Sequence, residues 1–69
     1  MPLTLLGVGV RRNIIAVKGD YAVKKHLHNL GFVEGAEIEV IADNSGDLIV
    51  GLYGSRVALN KDLAKRIIV

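Results

Sequence analysis

The chain has 69 residues, with nine Lys plus Arg against seven Asp plus Glu, eight Gly, one Pro and no Cys. So short a chain makes one domain, residues 1–69, and such domains bury only about 60% of their unfolded surface. Without cysteine, neither a disulfide framework nor a thiolate metal site can support it. With Tyr21, Phe32 and Tyr53 as the only aromatics, the core must be built from Val, Ile, Leu and Ala.

No apolar run approaches the roughly 20 residues of a membrane span. A signal peptide places its positive charge before the apolar run, whereas Arg11 and Arg12 follow the uncharged stretch Met1–Val10. The expectation is a soluble, unprocessed chain.

The net charge of +2 conceals a segmental pattern. Residues 1–33 carry five bases against Asp20, residues 34–55 carry five acids and no base, and residues 56–69 carry four bases against Asp62. This pattern predicts an acidic side on a basic remainder, suited to oriented docking or head-to-tail self-contact.

In chain order, Asn13–Val17 is short, apolar and β-branched and ends at Gly19-Asp20, which predicts one buried strand. Val23, Leu27 and Leu30 then recur at i, i+4 and i+7, the stripe of a helix over 20–30. Asp20 stands where an N-cap belongs and Gly31 where a left-handed C′ residue belongs. Residues 36–42 alternate, with Ile38, Val40 and Ala42 facing inward and Glu37, Glu39 and Ile41 outward. Asp43-Asn44-Ser45-Gly46 is a turn cluster, and residues 48–53 alternate again, so the two segments form a hairpin. Gly54-Ser55 marks a second turn and residues 56–59 a further strand. Asn60 caps a short helical turn through Lys65, and Ile67–Val69 is a last strand. Five short strands with open edges would risk aggregation. Closure into a small barrel, with the helix plugging an end or a side, resolves this.

Catalytic chemistry finds little to work with. The serines, Ser45 and Ser55, fall in turns, Ser45 with no histidine near it in sequence. His26 and His28 are two apart on a helix and point roughly 200° from each other, so they cannot chelate one ion together. Glu37, Glu39, Asp43 and Asp47 offer oxygen donors, but their spacing matches no cation loop and fits a solvated hairpin face. Gly7-Val8-Gly9-Val10-Arg11-Arg12 has Arg12 in place of the third glycine of a dinucleotide fingerprint. Gly51-Leu52-Tyr53-Gly54 ends a strand instead of joining two helices. Arg11, Arg12, Lys24 and Lys25 could meet phosphates, yet few aromatics could stack bases and the acidic block opposes a nucleic-acid backbone.

Taken together, Gly19-Asp20, the run from Leu27 to Gly35, Gly54-Ser55-Arg56-Val57-Ala58-Leu59 and Ala64-Lys65-Arg66-Ile67-Ile68-Val69 resemble the FeoA family over roughly residues 13–69. The chain departs from the family pattern at Glu34-Gly35, where Pro-Gly is usual, at Leu48 after Gly46-Asp47, and at His26, where Arg is frequent. The resemblance implies a mainly β, SH3-like barrel of about five short strands, one α-helix (20–30) and a short C-terminal helical turn. It implies a non-enzymatic, cytoplasmic accessory protein of ferrous-iron uptake, docking at the inner face of the membrane on the cytoplasmic region of the transporter FeoB. The expected contacts are Lys24, Lys25 and His28 on the helix and Phe32, Val33 and Glu34 beside it, with Val23, Leu27 and Leu30 in the core. No resident cofactor is expected. Weak Fe(II) or other divalent-ion binding and weak homo-oligomerisation are both compatible with this picture. The alternative is a small-barrel nucleic-acid-binding or metal-responsive regulatory module.

Overall fold

A computed structural model describes all of residues 1–69. After a 3₁₀ turn at Leu3–Leu5 come β1 (Arg11–Asn13), β2 (Ala16–Val17), α1 (Tyr21–Asn29), β3 (Glu37–Asp43), β4 (Asp47–Leu52), β5 (Ser55–Asn60), α2 (Lys61–Ala64) and β6 (Ile67–Ile68). The strands form a four-stranded sheet in the order β1-β3-β4-β5 and a two-stranded sheet of β2 and β6, every pair antiparallel. One apolar core of 16 buried residues lies between them, and no polar or charged side chain is buried.

There are six strands, because the expected single strand at residues 13–17 is two. The Ile14 amide donates to the Ala36 carbonyl at 2.8 Å, and the next amide, Ile15, donates to Ile68 at 2.7 Å. The chain therefore leaves one sheet and joins the other between adjacent residues, which is how a short barrel turns a corner. Ile14 is buried at this corner, whereas Ile15 is 65% exposed.

The β3–β4 hairpin departs from strict alternation. A bulge between Val40 and Ala42 puts Ala42 opposite Ile49 and Asp43 opposite Leu48. An extra residue in one strand reverses which face later side chains take, so Ala42 sits beside Ile49 instead of continuing the inward row of Ile38 and Val40. The β4–β5 turn also lies one residue earlier than expected. Leu52 faces Ser55 across Tyr53-Gly54, whose φ values are 52° and 78°. Two consecutive positive φ values are the signature of a two-residue type I′ turn.

Leu3 is fully buried and Leu6 nearly so, whereas Leu5 is 68% exposed. The N-terminal segment thus packs into the core, and it bridges β6 through Pro2 and Ile68. No helix is long and apolar enough to cross a membrane.

Candidate functional site

Helix α1 is fixed by its two ends. The Asp20 carboxylate accepts from the Val23 amide at 2.9 Å, satisfying one of the free amides of the first turn. At the other end Gly31 adopts φ 104°; its amide donates to His28 and the Phe32 amide to Leu27, both at 2.9 Å. These paired bonds are a Schellman motif, in which the residue after the glycine packs back on the last turn. Phe32 and Leu27 are accordingly both fully buried.

That geometry corrects two expectations. Phe32 is a core residue and not a surface contact, because the Schellman turn drives it under the helix. Leu30, expected in the core, is 41% exposed, because it is the C-cap, where the chain is already turning away from the apolar stripe. Leu27 is buried as expected and Val23 is half-buried against the core.

Lys24, Lys25, His26 and His28 are all exposed, and Lys24 and His28, four apart, share one helix face. Val33 is half-buried against the core, and Glu34 is exposed and in no ion pair. The structure thus presents Lys24, Lys25, His28 and Glu34 to solvent and withdraws Phe32.

The helix end adjoins the β4–β5 turn. A β-carbon on Gly31 would stand 3.1 Å from Leu52 Cδ2 and 3.5 Å from Tyr53 Cε2, so the Tyr53 ring lies against the helix terminus. Tyr53 is 71% exposed although its left-handed backbone suits Asn or Gly better. A bulky residue held at φ 52° costs on the order of 1 kcal/mol. The turn therefore holds an exposed aromatic on a strained backbone beside the helix terminus, a feature that reading residue 53 as strand missed.

Tyr53 also borders a shallow cleft of about 300 Å³ on the outer face of the larger sheet. Register places Arg11, Glu39, Gly51 and Arg56 in one row across β1, β3, β4 and β5. Gly51 is the gap in this row, where a β-carbon would meet Ile41 Cδ1 at 3.2 Å. Arg11 Nε donates to Glu39 Oε1 at 3.1 Å, Arg56 has no acidic partner, and Glu37 and Ser55 complete the polar wall. No histidine lines this cleft, so Ser55 has no imidazole base beside it.

The row also modifies the segmental charge reading. Arg11 neutralises Glu39, and Lys61 Nζ lies 2.7 Å from Asp43 Oδ1. Bases from the chain's two ends are folded onto the acidic hairpin, so segregation along the sequence is only partly kept in space. No three His, Cys, Asp or Glu side chains come together as a metal-binding group.

These features define a small β-barrel of the SH3 type whose polar groups all lie at the surface, on a capped helix, an aromatic turn and an open cleft. The FeoA domain family model matches residues 1–69. The chain belongs to the FeoA family, small accessory proteins linked to ferrous iron transport. Among solved structures, an iron uptake regulatory protein (FeoA) is similar at TM-score 0.90 and 29% identity, over 97% of this chain and 91% of its own. The FeoA of Stenotrophomonas maltophilia complexed with zinc is similar at TM-score 0.86 and 29% identity, over 100% of this chain and 88% of its own. That protein is presented as a procaryotic SH3 domain protein and a candidate activating factor of ferrous iron transport. A manganese-dependent transcriptional repressor shares the fold alone, with TM-score 0.88 at 17% identity over 39% of its length. A search of the curated proteins found no match.

Proposed function

We propose that the protein is a non-enzymatic docking module that modulates the ferrous-iron transporter FeoB through that transporter's cytoplasmic region. The observation that carries this reading is the FeoA family match over residues 1–69, on a barrel whose polar side chains are all at the surface. Contact runs through the solvent side of α1, Lys24, Lys25 and His28, continued by Glu34, Leu30 and the strained Tyr53. Unpaired cations on a helix steer association with an acidic partner surface and set its orientation. The aromatic ring and the half-exposed leucine supply the desolvated anchor that charge alone does not give.

The test is capture of the transporter's cytoplasmic region by the purified protein, with iron uptake measured in cells lacking it. Binding together with an uptake defect is the expected result. Absence of both would sink the reading. Fe(II) in this account is the partner's cargo and not a resident of the chain, so excess Fe(II) or Zn(II) leaves Tm unchanged. A chelator-reversible rise would favour the metal-responsive alternative.

A further inference from the structure

Strand β5 is a terminal strand of the larger sheet and is hydrogen-bonded to β4 alone. Because Leu52 and Ser55 close a two-residue turn, the bonded pairs of this ladder are Leu52 with Ser55, Val50 with Val57 and Leu48 with Leu59. The backbone N–H and C=O groups of Arg56 and Ala58 therefore point away from β4. Their amides donate to no loop, turn or cap carbonyl, and both residues are exposed. The opposite edge, β1, is three residues long and bears Arg11 and Arg12, whereas β5 runs for six residues with no Pro and no bulge. A strand edge of this kind is a template for another strand.

We infer that the β5 edge is a self-association surface, pairing antiparallel with β5 of a second copy about a two-fold axis at Ala58. The occupant follows from register and charge. With the axis at Ala58, the small side chains of the two Ala58 residues meet, Arg56 lies beside the partner's Asn60, and half-buried Val57 lies beside the partner's Leu59. One strand further along the same row is the partner's Asp47, since Asp47 and Asn60 are paired in β4 and β5. Arg56 and Asp47 are in no ion pair within their own chain, and both lie on the outer face. The two-fold brings each unpaired cation towards an unpaired acid twice over, and the two sheets become one of eight strands. A β1 strand from another copy, with arginine at two of its three positions, would bring further positive charge to the edge that carries Arg56 and no acid to meet it. Edge pairing buries little area, so the dimer is weak. The inference rests on β5 and does not depend on docking to the transporter.

Sedimentation of the full chain over a wide concentration range tests it, read together with hydrogen exchange. The expected result is a concentration-dependent dimer in which the Arg56 and Ala58 amides exchange more slowly than in dilute protein. Ala58→Pro removes an amide that the β4 ladder does not use, so the variant keeps its circular dichroism and sediments as a monomer. Should it fail to fold, Ala58→Lys sets two like charges at the axis and has the same effect. Arg56→Glu weakens the dimer about tenfold, and adding Asp47→Arg restores it. A wild-type chain that is monomeric at millimolar concentration would overturn the inference, as would a dimer unchanged by Ala58→Pro or Ala58→Lys.

Discussion

The β3–β4 hairpin and helix α1 solve opposite problems. The hairpin sends Ile38, Val40, Leu48 and Val50 inward, each 0–1% exposed, whereas α1 has one fully buried side chain, Leu27. Burial of aliphatic side chains is the main favourable term in folding, so the hairpin carries the barrel. The helix is too short to be stable alone; beyond the burial of Leu27 and half-buried Val23 it is fixed at its ends, by the Asp20 cap and the Gly31–Phe32 turn. An element fixed by its termini keeps most of its surface free, which suits display. The difference teaches how buried and exposed surface are divided in this chain.

If the helix is held by its ends, damage there should loosen it before the sheet. Phe32→Ala removes a fully buried ring under the C-terminal turn. A loss of about 3–5 kcal/mol is expected by denaturant titration, with helix amides exchanging sooner than those of β3 and β4. Uniform loosening would mean that the two regions are one cooperative unit.

Gly31→Ala forces a β-carbon onto a residue at φ 104° and to 3.1 Å from Leu52 Cδ2. About 1–3 kcal/mol should be lost, and a thermal melt unchanged from the wild type would contradict the Schellman account. Asp20→Ala frees the Val23 amide and should cost about 1 kcal/mol, seen as faster exchange confined to the first turn of α1. Tyr53→Asn runs the other way. Relief of the left-handed backbone should stabilise the chain by about 0.5–1 kcal/mol, while affinity for the partner falls. A variant that gains stability and binds as well as the wild type would remove Tyr53 from the contact surface.

Much of this was legible in the amino-acid sequence, for local reasons. Asp20 and Gly31 bracket the helix because capping is a property of a few adjacent residues, and both play the expected role. The alternation in residues 36–42 and 48–52 reveals a hairpin because the side-chain period of a strand is two. The family resemblance likewise lay in the order of these local features. What escaped depended on partners distant in the chain. The switch of sheet between Ile14 and Ile15 is set by Ala36 and Ile68. The bulge at Ile41 goes with the gap at Gly51, which lets Ile41 lie over β4. Phe32 reads as one of the contacts, as part of the turn beside the helix, and the glycine that ends the helix folds it into the core. A signal for Tyr53 was present, since two residues between Leu52 and Ser55 are the length of a type I′ turn. Read that way, the tyrosine would have stood out as the wrong residue for its backbone.

The central claim is that the barrel is a scaffold and the exposed side of α1 is what the transporter reads. Lys24 and Lys25 are exposed and in no ion pair, so reversing both charges should change stability by no more than about 0.5 kcal/mol. The decisive measurement is a calorimetric binding titration of the transporter's cytoplasmic region with the wild type and with Lys24→Glu/Lys25→Glu. The account predicts saturable binding by the wild type, and loss of at least tenfold in affinity by a variant whose Tm is unchanged. Equal affinities for the two proteins, or no binding by the wild type at low salt, would contradict it.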